Sequence, residues 1–136
     1  MAVTYSSGLK TNRLNLVINA LGTATAPTIS TTGTAAGTLV IGTSALSGAT
    51  GVLATLPLNT TPGTVSGSTL TLTTSGVSAT AGATGTAALA ELRNNAGTVI
   101  VSGLTVGTSG TDITISSTSI TSGQTVSLTS GTITHG

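Results

Sequence analysis

The chain has 136 residues, no cysteine, phenylalanine or tryptophan, and only 4% charged side chains, for a formal net charge of +1. Without cysteine there is no disulfide framework and no thiolate metal site, and three basic residues cannot build the patch that holds a phosphate backbone. Threonine, serine, glycine and alanine dominate, yet a mean hydropathy of +0.50 with so little charge is the reverse of a disordered composition, and branched Thr and Val favour a pleated backbone.

The opening residues carry no basic stretch leading into an apolar one, so no classical secretion signal is expected. Residues 8–21 hold the one helical period: Leu14, Val17, Ile18 and Leu21 recur at i, i+3, i+4 and i+7 and share a stripe. Ser6 or Ser7 is placed to cap this helix, and Gly22 to end it in the left-handed conformation. The apolar stretch is broken by Asn15 and Asn19 and is too short to cross a bilayer. A helix of this length is not stable alone, so the stripe must dock on the chain's own sheet or on a neighbour. With Lys10 and Arg13 it forms the candidate protein interface. Residues 23–37, around Pro27, show neither helical nor strand period and read as a linker or arm. They divide an N-terminal segment, 1–22, from a β domain, 38–136.

Short apolar runs then alternate with glycine. Residues 39–41 and 52–56, the latter closed by Pro57, read as strands. Residues 64–73 read as one half-buried strand, with Leu70 and Leu72 on the core side and threonines on the other. Residues 87–93 and 98–106 form a hairpin about Asn94, Asn95, Ala96 and Gly97. In its first strand Ala88, Ala90 and Leu92 share one side, while Leu89, Glu91 and Arg93 share the other, and the charges mark that side as outer. Residues 112–115 and 125–128 add two alternating strands joined through Ser122, Gly123 and Gln124, and 131–134 closes the chain. About seven or eight strands at this spacing predict a mainly β fold, an antiparallel β-sandwich of jelly-roll-like form with one short N-terminal α-helix. Thr-x-Thr and Gly-Thr units recur without a period that holds along the chain, which disfavours a β-solenoid of ice-binding or adhesin type.

Acid–base chemistry needs a titratable group beside another that tunes it, and the candidates are Glu91, Asp112 and His135. Glu91, two residues from Arg93, reads as a surface ion pair. Asp112 follows Gly110 and Thr111 at a strand entrance, where a carboxylate organises a turn. His135 is penultimate, a position that rarely holds a catalyst or a metal. No Gly-x-Ser-x-Gly elbow and no Walker lysine is present. Asn59-Thr60-Thr61 matches a glycosylation acceptor but reads as a turn, and Tyr5 is the sole aromatic on which a sugar could stack. The expected protein is not an enzyme and has no cofactor, metal, small-molecule substrate, nucleic acid or membrane to bind.

Residues 1–13, Met-Ala-Val-Thr-Tyr-Ser-Ser-Gly-Leu-Lys-Thr-Asn-Arg, resemble the start of small proteins encoded in tailed-phage structural gene clusters. The stretch Ala-Gly-Thr-Val-Ile-Val-Ser-Gly-Leu-Thr-Val-Gly-Thr-Ser-Gly-Thr-Asp-Ile and the ending Thr-Ser-Ile-Thr-Ser-Gly-Gln-Thr-Val-Ser-Leu-Thr-Ser-Gly-Thr-Ile-Thr-His extend that likeness. Both ends of the chain carry it, and residues 23–46 carry it poorly. The resemblance implies a virion component made in the host bacterial cytoplasm, most like a capsid decoration (cement) protein on the capsid surface. Its implied partners are the major capsid protein and copies of itself, as a homotrimer on three-fold positions. Head-fibre, tail-fibre and tail-tube subunits are the alternatives it leaves open.

Overall fold

The computed structural model describes residues 4–22, 37–59, 62–94 and 97–134. Helix α1 (Ser7–Gly22) starts where Ser6 caps it: the Leu9 N–H donates to Ser6 Oγ at 3.3 Å and the Lys10 N–H to Ser6 O at 3.1 Å. The strands are β1 (Thr38–Ser47), β2 (Thr50–Pro57), β3 (Gly63–Ser66), β4 (Thr69–Leu72), β5 (Ser78–Thr80), β6 (Gly85–Thr86), β7 (Leu89–Arg93), β8 (Val99–Gly107), β9 (Ile113–Ile115), β10 (Ser119–Ile120) and β11 (Thr125–Thr134). Among the described residues the fold is thus mainly β with one helix. The reading of 23–36 as linker or arm, and that of His135, fall outside the described residues.

Nine strands make one sheet in the order β2-β1-β7-β8-β9-β11-β4-β3, with β5 also on β11, and β6 and β10 form a separate ribbon. The sheet folds over rather than lying flat. Strand β5 pairs with the first part of β11 and also lies beside β2, and the Gly82 N–H donates to Leu53 O at 2.9 Å. Sandwich-like packing therefore arises within a sheet that doubles back. Its interior is aliphatic: the largest fully buried side chains are all Ile, Leu or Val, among them Leu39, Ile41, Leu56, Leu92, Ile113 and Ile115.

The helical stripe docks on the chain's own sheet. Leu14 and Ile18 pack with Leu70 of β4 in a small cluster that Val65 of β3 and Ile133 of β11 border. Leu21 enters the main core, and Val17 touches both clusters. Gly37 permits the crossing at the far end of the helix. A Cβ there would run into Arg93 O and lie 2.8 Å from Leu21 O, and backbone atoms cannot step aside as a side chain can.

Four details differ from the sequence reading. Residues 64–73 are two strands, because Gly67 (φ +59°) supplies a tight turn with Ser68 that pairs Ser66 with Thr69. Residues 125–128 and 131–134 are one strand, because an irregularity between Leu128 and Ser130 shifts the alternation by a residue without ending the pairing. Strands β8 and β9 run parallel where all pairs were expected to be antiparallel, with Val106 opposite Ile113 and Gly107 opposite Thr114. Parallel neighbours usually need a connection of about a dozen residues; the short loop 108–112 serves because the overlap is so brief. Finally, Glu91 is buried, at 8% exposure, where the sequence placed it on an outer face.

Truncating Ile18 to Ala should cost about 2–5 kcal/mol of unfolding free energy, and Gly37→Ala about 1–3 kcal/mol through steric strain. Both are read from denaturant midpoints. An unchanged midpoint for Ile18→Ala would mean that the helix is not docked.

Candidate functional site

The burial of Glu91 follows from the path of the β1–β2 hairpin. Glu91 and Arg93 lie on the side of β7 opposite Ala90 and Leu92, as the alternation predicts. That side is not solvent, however: Val40, paired with Glu91 across the β1–β7 ladder, is only 1% exposed. Glycine at position 42 lets the hairpin close over itself, since a Cβ there would meet Gly51 O at 2.6 Å and Leu46 Cδ1 at 2.7 Å. The hairpin tip then reaches the ion pair. Arg93 donates from Nε and Nη2 to Glu91 Oε2 at 3.1 and 2.8 Å, and from Nη2 to Gly48 O at 2.6 Å. One guanidinium thus clamps a buried carboxylate and a loop carbonyl together.

Asp112 is also committed to structure. Its Oδ2 accepts from the Thr105 N–H and from Thr105 Oγ1, both at 3.1 Å, and its own N–H donates to Thr105 Oγ1. The Asp112 carbonyl accepts from the Thr132 N–H at 2.8 Å. These bonds tie β8, the 108–112 loop and β11 together, which is the turn-organising role expected of this carboxylate. Among the described residues no group of three His, Cys, Asp or Glu side chains could hold a metal, and no helix is long and apolar enough to cross a membrane.

Of the six residues placed at a protein interface by sequence, Leu14, Ile18 and Leu21 are buried within the chain and Val17 is partly buried. The stripe is consumed by the chain's own sheet and is not surface. Lys10 and Arg13 keep partial exposure, with the Arg13 guanidinium 4.1 Å from the centre of the Tyr5 ring.

One exposed side of the sheet is a face of hydroxyls. Along β11, Val126, Leu128 and Gly131 are buried and Ile133 is half-buried, while Thr125, Ser127, Thr129, Ser130 and Thr134 are exposed and Thr132 is half-buried. Every outward position is Thr or Ser. The neighbouring strands continue the pattern: Thr80 and Ser78 of β5 pair with Thr125 and Ser127, and Thr71 and Thr69 of β4 pair with Thr132 and Thr134. Thr64 and Ser66 of β3 extend those last two rows. Directly opposed side chains in such pairs stand about 4.5–5.5 Å apart at Cβ, so the hydroxyls form a grid. The alternation in 69–73 and 125–128 was legible in sequence. Its continuity was hidden by the irregularity in β11 and by the distance between β3–β4 and β11 along the chain.

No protein-family model, no curated protein and no solved structure matches the chain.

Removing one partner of the buried pair should hurt more than removing both. Arg93→Ala strands a carboxylate and should cost about 3 kcal/mol, whereas Glu91→Leu combined with Arg93→Met should recover most of that loss. Chemical denaturation of the three proteins checks this, and a double variant as unstable as Arg93→Ala would show that the pair is not an isolated unit.

Proposed function

We propose that the chain is a non-enzymatic structural subunit of a tailed-phage virion, most like a capsid decoration protein that binds the major capsid protein and copies of itself. The hydroxyl face carries this reading. A free domain usually keeps itself dispersed with charge over roughly a quarter to a third of its surface, whereas every outward position of β11 is Thr or Ser. Such a face suits hydrogen bonding to neighbouring protein, because each hydroxyl both donates and accepts. The two described carboxylates are spent on Arg93 and Thr105, which supports a role without acid–base chemistry. The resemblance of both chain ends to phage structural proteins supplies the virion, the capsid surface and the three-fold arrangement.

Contacts made by neutral groups should be nearly indifferent to ionic strength. Raising salt from low to physiological, where the Debye length is about 8 Å, should leave binding to the shell unchanged, as read by co-sedimentation with particles. Release by moderate salt alone would overturn the neutral-interface reading. Electron microscopy of intact particles, with heat-inactivation of particles lacking the protein, tests the decoration role. A stable monomer whose loss leaves heat resistance unchanged would favour a head-fibre, tail-fibre or tail-tube subunit.

A further inference from the structure

We infer that the hydroxyl grid of β3, β4 and β11 lines the symmetry axis of a homo-oligomer, so that each copy presents this face to the same face of its neighbours. The inference rests on the reading above in one respect, that copies of the chain bind one another; it adds which surface does so. The grid has two rows of three, Thr64–Thr71–Thr132 and Ser66–Thr69–Thr134. None of these six hydroxyls is spent on a side-chain hydrogen bond to another described residue.

Residues beside a symmetry axis meet their own equivalents, which makes a demand that most surfaces fail. A patch of one charge repels itself, and a lone donor or lone acceptor finds no complement. A hydroxyl, being donor and acceptor at once, is self-complementary. A different protein as partner would impose no such demand, and the six grid positions meet it with hydroxyls alone. The surrounding charges are also kept away. Leu14 and Ile18 of the helix that carries Lys10 and Arg13 pack against Leu70, on the side of β4 opposite Thr69 and Thr71. Asp112, at the border of the face next to Thr132, is held on Thr105. Strand β3 ends the sheet, so the grid runs out to an edge that a neighbour could cover.

The test uses the purified full chain and Thr71, an exposed residue in the middle of its row. Thr71→Lys and Thr71→Glu are made separately, with Thr64→Lys and Thr64→Glu as a second pair and Thr86→Lys, on the β6–β10 ribbon, as control. Circular dichroism melts first establish that each variant is folded. Sedimentation velocity should then show an oligomer for the wild type, a trimer if the three-fold arrangement holds, and for Thr86→Lys. The Lys and Glu proteins should each associate at least tenfold more weakly. Mixing Lys with Glu copies at low salt should recover part of the association, since two of the three contacts in a mixed trimer join opposite charges, and 1 M salt, where the Debye length is about 3 Å, should abolish that recovery. Only a face that meets itself gives recovery on mixing. Undiminished association of the Lys and Glu proteins, or no recovery on mixing, overturns the inference while leaving a structural-subunit role standing. A wild type that stays monomeric at all concentrations overturns both the inference and the self-binding on which it rests.

Discussion

Strand β11 pairs with β4, β5 and β9 in turn, and the rest of the chain is arranged around that pairing. Its first part carries β5 across to β2, its middle takes β9, and its end takes the β3–β4 hairpin on which the helix sits. A ten-residue strand can serve three neighbours only if its inward side stays apolar throughout. Val126, Leu128, Gly131 and Ile133 meet that condition, the irregularity after Leu128 re-phasing the side chains as the pairing passes to β4. Gly131 is part of the fit, since a Cβ there would press on Leu72 Cδ1 at 2.8 Å.

A core without phenylalanine or tryptophan has to be assembled from many small contacts, and close backbone approaches make that possible. Glycine at 37 and 42 allows such approaches where the helix end meets β7 and where the β1–β2 hairpin doubles back. The second of these has a polar consequence. Once the hairpin lies over β7, the carboxylate of Glu91 loses solvent, and Arg93 becomes the group that both neutralises it and holds the Gly48 carbonyl. Burial of a pair in this way adds little net stability, but loss of either partner is costly. The clamp ties the hairpin tip at Gly48 to β7.

The outward side of the same sheet is the surface on which the proposed association rests. Antiparallel sheets often leave one side to water, and such a side usually mixes charges with its hydroxyls. Here the described charges are used elsewhere: on the helix, in the Glu91–Arg93 clamp, and on Thr105 through Asp112. A neutral hydrogen-bonding surface is the result, without the like-charge repulsion that keeps ordinary domains apart.

Local chemistry determined much of this in advance. The helix and its Ser6 cap, the inward Leu70 and Leu72, the hairpin about Asn94 and Gly97, and the turn role of Asp112 all depend on neighbours in sequence, so residue spacing exposes them. Periodicity could also show that Leu14, Val17, Ile18 and Leu21 must dock, though not on what. Tertiary structure alone decided that Leu14 and Ile18 are covered by β3, β4 and β11 while Leu21 enters the main core, that β8 and β9 run parallel, and that Glu91 lies under a hairpin tip. It alone brought the threonines of β3 and β4, more than fifty residues away in the chain, into register with those of β11. Alternation states which side of a strand a residue takes; whether that side meets water, another strand or a returning loop depends on contacts between distant segments, which no local pattern encodes.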